Sequence, residues 1–175
     1  AKNQMQKEGF KFINKFHYVN NQSGIIIDTA QLIKNKKIIF EDGIWKCGLA
    51  KAMACSKIID GQEVVVLAIR GTHRPFERID GYRGLSGTMK FFKEIAMEYL
   101  NIWNHAKLVK PLAQALSQYA QNRGAKFVIT GHSLGGSACE SLMQQMHEID
   151  LCFTFGSPGT GKLETDGNYR RIPLG

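Results

Sequence analysis

A chain of 175 residues fits one domain and is long enough to bury about 70% of its unfolded surface. Hydrophobic residues make up 43% and charged residues 22%, which excludes a disordered or low-complexity chain, and no apolar run approaches the roughly 18 residues that span a bilayer. The formal charge is +8, with lysines crowded into the first third (Lys2, Lys7, Lys11, Lys15, Lys34, Lys36, Lys37, Lys46, Lys51, Lys57). They are dispersed and carry no aromatic-basic recognition module, so nucleic acid is not an expected partner, whereas an anionic membrane surface or a plain solvated basic face is.

In chain order, the N-terminus has no signal-peptide core, which leaves localisation unassigned between a secreted and a membrane-surface protein. Phe10, Phe12, Ile13 and Phe16, interleaved with Lys11 and Lys15, form a stripe that suits a terminal helix packed on a sheet or lying on a membrane. A strand is expected within Trp45–Ile59, joined through Asp60-Gly61, a hairpin-turn dipeptide, to the strand-like run from Glu63 to Arg70. Helical periodicity follows around Met89–Trp103 and Ala106–Gln121, with Pro111 as a kink or late start and Gly124 as a C-cap. The apolar run Phe127-Val128-Ile129 precedes Gly131-His132-Ser133-Leu134-Gly135-Gly136, and a helix with Leu134, Ala138, Leu142, Met146 and Ile149 on one face comes next. Leu151–Phe155 reads as a buried strand. Strands alternating with helices argue for an α/β architecture. The cysteines Cys47, Cys55, Cys139 and Cys152 lack metal-binding or redox spacing, a Cys47–Cys55 bridge stays open, and no cofactor or metal is expected.

The strand, Gly-x-Ser-x-Gly and helix in succession form a nucleophile elbow, the motif known from α/β-hydrolases. The turn strains the serine backbone, so small neighbours are required, and the strain leaves the hydroxyl exposed. Ser133 is the candidate nucleophile, and the Leu134 N–H at the helix start points to where an oxyanion forms.

Three segments together resemble the class 3 lipase family: Val65–Thr72 its strand and oxyanion loop, Thr130–Gly136 its elbow, and Thr154–Pro158 the strand and turn that follow. The resemblance implies an α/β-hydrolase-like fold, a mostly parallel sheet with flanking helices, in a single domain over residues 1–175. It also implies hydrolysis of lipid carboxylic esters through an acyl-enzyme on Ser133, with Thr72 and Leu134 as the oxyanion hole. The segment His73–Gly87 stands where the family borders its active site, and it is open as a lid or a fixed loop.

The family needs an acid and a histidine after the serine, in that order. Only His147 follows Ser133, on the elbow helix and turned from the active-site end. Asp166 is the candidate acid and His73 the candidate base, each out of the family's arrangement. The expectation is therefore a lipase-like chain that stops after the strand following the elbow and lacks its triad-bearing part. A partner chain or self-association would then cover the sheet edge after Phe155. The competing function is a catalytically impaired, lipase-like binding module. Gly156–Lys162 also matches seven positions of a phosphate-binding loop, but Leu163 replaces the magnesium-binding Ser/Thr, so ATP is not expected.

Overall fold

The computed structural model describes residues 2–36, 38–71, 87–156 and 169–172. After a short helix α1 (Lys2–Lys7) come strands β1 (Lys11–Phe12), β2 (His17–Val19) and β3 (Ile26–Asp28), then helix α2 (Thr29–Lys36). An antiparallel meander follows: β4 (Ile38–Glu41), β5 (Ile44–Cys47), β6 (Ala50–Ile59) and β7 (Gln62–Ile69). Helix α3 (Gly87–Asn122), β8 (Lys126–His132), helix α4 (Leu134–Gln145), β9 (Leu151–Phe155) and β10 (Tyr169–Ile172) complete it. The main sheet runs β10-β9-β8-β7-β6-β5-β4, with β1 pairing the far half of β6. From β7 to β10 every pairing is parallel. This is the α/β-hydrolase-like sheet with flanking helices, extended on one side by antiparallel hairpins.

Two-residue turns build those hairpins. Asp60 and Gly61 both take positive φ (50° and 78°) and set Ile59 opposite Gln62, as the dipeptide predicts. Asp42-Gly43 does the same between β4 and β5, with φ of 53° and 78°. Alternation decides what is buried: Val65, Leu67 and Ile69 of β7 and Phe127 and Ile129 of β8 face α3 and α4, while Val64, Val66 and Val128 turn to the opposite, half-buried face.

Three expectations change. The two helical stretches are one helix of 36 residues, about 54 Å long, running through Pro111. Proline removes one backbone hydrogen bond, but Val109, Leu112, Ala113 and Leu116 on either side of it are fully buried and hold the helix against the sheet. The α3 terminus is a Schellman cap, with Gly124 at φ 65° and the Ala125 and Gly124 N–H groups bonded to the carbonyls of Ala120 and Gln121 (2.8 and 3.1 Å). The Phe10–Phe16 stripe is not a helix. Phe12 lies in β1, Ile13 and Phe16 are buried, and Trp45 Nε1 donates to the Ile13 carbonyl at 3.1 Å. Phe16 also stacks near Trp45 and Tyr119 (6.0 and 5.3 Å between centroids), which ties the N-terminal segment to the meander. Finally, β9 is not the sheet edge, because β10 pairs with it from Tyr169↔Cys152 to Ile172↔Phe155.

All four cysteines are buried and free. Cys47 faces the helix side, whereas Cys55 pairs with Val66 on the other side of the sheet, so the open Cys47–Cys55 bridge does not form. Burial pushes the Cys47 thiol up to about 12 and Cys55 to about 11; Cys139 is also raised, first by burial and then by its contact with Cys152. The thiolate is the reactive species, so native protein should show no fast-reacting thiol toward Ellman's reagent near pH ~8, close to the free-thiol pKa of about 8.5. Denaturant should expose all four. A rapid native phase would show that one of these cysteines leaves the core.

Candidate active site

Ser133 joins β8 to α4 in a single residue, with φ 53° and ψ −120°. A conformation of this kind costs about 1–3 kcal/mol and persists only when its surroundings enforce it. Three contacts do so. The Ser133 N–H donates to the Phe155 carbonyl at the end of β9 (2.9 Å), and its own carbonyl accepts from Ser137 N–H (3.1 Å), opening the helix. The third is the crowding around the glycines. A Cβ on Gly131 would overlap the carbonyl of Gly135, and a Cβ on Gly135 would overlap the carbonyl of Ile69 at the end of β7. Here glycine is required by close approach of backbone to backbone.

The consequence for chemistry is direct. A serine at a helix N-cap usually spends its hydroxyl on the helix's free N–H groups. Ser133 makes no such side-chain cap, and it is only half-buried. Its hydroxyl is not spent on the first N–H groups of α4, and the residue sits at the positive end of the helix dipole. Leu134, the first residue of α4, is buried. Gly71, the residue after Arg70 at the end of β7, packs onto the turn: a Cβ there would stand 2.7 Å from the His132 carbonyl and 3.6 Å from both the Leu134 nitrogen and the Ser133 Cβ.

Of the other candidate residues, Thr72, His73 and Asp166 lie outside the described residues, as does the phosphate-loop-like run beyond Gly156. His147 is not on the elbow helix but just past its C-terminal cap, Met146, and the 12 residues of α4 put it about 18 Å from Ser133. His17 sits in β2, His132 is exposed beside the elbow, and His105 is buried in α3 with a partner of its own. Among the described residues no histidine or carboxylate hydrogen-bonds the Ser133 hydroxyl. Sequence reasoning passed over Glu140, which is fully buried on α4 about two turns below Ser133 and is also partnered. The signal was a charged residue amid the small apolar positions of that helix.

The family model of class 3 lipases matches residues 66–171, which is more than half of the chain. The chain belongs to the class 3 lipase family. That match takes in the second half of β7, the elbow, β9 and all but the last residue of β10. Among solved structures, the lipase Lip2 of Yarrowia lipolytica is similar, at 18% identity and a TM-score of 0.43 over 71% of this chain and 52% of that one. This class 3 lipase chain thus spans about half the length of that lipase. No curated protein sequence matches it significantly.

Proposed function

We propose that the chain carries the nucleophile of a lipid carboxylic-ester hydrolase, with Ser133 as the attacking group. The observation that carries the reading is the strained, uncapped Ser133 at the mouth of α4. Its Oγ attacks the ester carbonyl carbon, and the carbonyl oxygen becomes an oxyanion held by the Leu134 N–H and the Thr72 N–H. The alkoxide leaves with a proton, and water then releases the acid from the acyl-enzyme. Each oxyanion donor is worth about 10²–10³ in rate. A serine without a base is a poor nucleophile; His73, next to Thr72 in the chain, is the first imidazole to test for that role, and Asp166 the first acid. The natural substrate is an ester presented on a lipid surface, and the basic balance of the chain favours an anionic one.

A second reading, a lipase-like binding module without turnover, is favoured by the lack of an imidazole or carboxylate on the Ser133 hydroxyl among the described residues. A fluorophosphonate probe separates the two, because labelling requires an activated serine. Stoichiometric label on the peptide bearing Ser133 is the expected result. An unlabelled, folded protein would favour the binding module.

A further inference from the structure

Registering the strands brings distant residues into one line across the sheet. In β5 and β6, Lys46 stands directly opposite Lys51, and Ile39 of β4 stands opposite Lys46. One step beyond the Ala52↔Ile69 pair, Arg70 donates its N–H to the Lys51 carbonyl (2.9 Å), so Arg70 continues the row. One step beyond Ile69↔Gly131 comes His132, itself paired with Phe155 of β9. The neighbours of these residues, Trp45, Cys47, Ala50, Ala52, Ile69 and Thr154, are buried against the helices. Alternation therefore turns the row itself outward. It crosses the sheet at the carboxyl ends of the parallel strands, where Ser133 follows His132.

The row is costly to the fold as it stands. Like charges directly opposed across an antiparallel pair are destabilising, and among the described residues a single carboxylate, Glu41, answers the row by binding Lys46 at 2.7 Å. Lys51 and Arg70 are exposed and form no ion pair among the described residues. Large apolar side chains border the cations: Ile39 is 57% exposed, Phe155 38%, and Leu49, at the tip of the β5–β6 turn beside Lys51, 78%. A polyanion alone offers nothing to those apolar groups. Phosphate above and acyl chain below is the chemistry that satisfies both.

We infer that this cationic rung and the Leu49 turn dock the protein on an anionic phospholipid surface, with the Ser133 end of the sheet toward the lipid. The inference names the surface for the proposed ester hydrolase and so rests on that reading for its purpose, though the docking itself is measured without turnover.

The test is co-sedimentation with phosphatidylcholine vesicles prepared with and without phosphatidylglycerol, at about 0.1 M salt. Wild type should bind only the vesicles containing phosphatidylglycerol. One cation near such a surface is worth about fivefold in partitioning, so Lys51→Glu, a change of two charges, should weaken binding about thirtyfold. That variant faces Lys46 with an opposite charge, and its melting midpoint should match or exceed wild type. Leu49→Asp, at an exposed turn, should cost at least about tenfold through lost apolar insertion. Lys126→Glu makes the same charge change at the other end of β8, about 20 Å away and beyond the Debye length of about 10 Å, and should bind nearly as wild type. Equal losses from Lys51→Glu and Lys126→Glu, equal binding to pure phosphatidylcholine, or capture by single-stranded DNA without capture by vesicles would each overturn the assignment. Ser133→Ala should dock as wild type. If Ser133→Ala still hydrolyses ester while Lys51→Glu no longer docks, the nucleophile fails and the rung stands; if Ser133→Ala is inert and Lys51→Glu docks normally, the reverse holds.

Discussion

Ser133→Ala is expected to lower hydrolysis of a medium-chain p-nitrophenyl ester by about 10⁶ in the protein whose Ser133 is served by a base, the usual loss when an intact serine hydrolase is deprived of its nucleophile. That factor corresponds to about 8 kcal/mol of barrier. The substitution removes one oxygen that neither caps α4 nor bonds a carboxylate or imidazole among the described residues, and alanine meets the same backbone strain as serine at φ 53°. Circular dichroism and the melting midpoint should therefore stay close to wild type, so that the lost rate is chemical and not a loss of fold. Equal rates from matched amounts of both proteins would place the activity on another residue or in a contaminant.

Gly135→Ala should be strongly destabilising. The added carbon would overlap the Ile69 carbonyl and come within 3.0 Å of the Arg70 carbonyl carbon, both of them backbone atoms held in the sheet. Neither can swing away as a side-chain tip could. Overpacking typically costs 1–3 kcal/mol, and a rigid backbone obstacle puts this site at about 3 kcal/mol or above. For a chain of this length the melting midpoint should fall by about 6–12 °C. Gly24→Ala is the contrasting control: a Cβ there meets nothing within 4 Å, and its cost comes from a left-handed φ of 69°, a strain that Gly135, inside helix α4, does not carry. Only the backbone term remains, at about 1–2 kcal/mol. Similar melting points for the two variants would mean that α4 can shift away from β7 and that the elbow is less constrained than its contacts suggest.

What could be read from the sequence was local. Asp60-Gly61 specifies its hairpin within the chemistry of two residues, and Gly-x-Ser-x-Gly specifies its turn within five. The identity of the atom that makes Gly135 obligatory could not be read, because the Ile69 carbonyl belongs to a strand far away in the chain. Pro111 misled for the opposite reason: a local rule breaks a helix there, and tertiary burial of Val109, Leu112 and Leu116 overrides it. The Phe10–Phe16 stripe carries both periods at once, and packing of Phe16 on Trp45, with the Trp45 Nε1 bond to the Ile13 carbonyl, selects the extended form. Strand β10 escaped notice because Arg170-Arg171 interrupts the apolar pattern expected of a parallel strand. The rung of Lys46, Lys51 and Arg70 has no signature in the linear order, since it exists only once the register of three strands is set.

The division of the sheet into an antiparallel and a parallel half also bears on how the chain reaches its native state. From β4 to β7 each strand meets its neighbour across a two-residue turn, so those pairings form at low loop-closure cost. Strand β8 must find β7 after a crossover running from Arg70 to Ala125, and non-local pairing of that kind is slow. The meander should therefore be protected early in pulse-labelled hydrogen exchange, with the elbow among the last features to gain protection. Until β8 docks, the Val65, Leu67 and Ile69 edge of β7 stands open, and that interval is when the nascent chain is most exposed to edge-to-edge association.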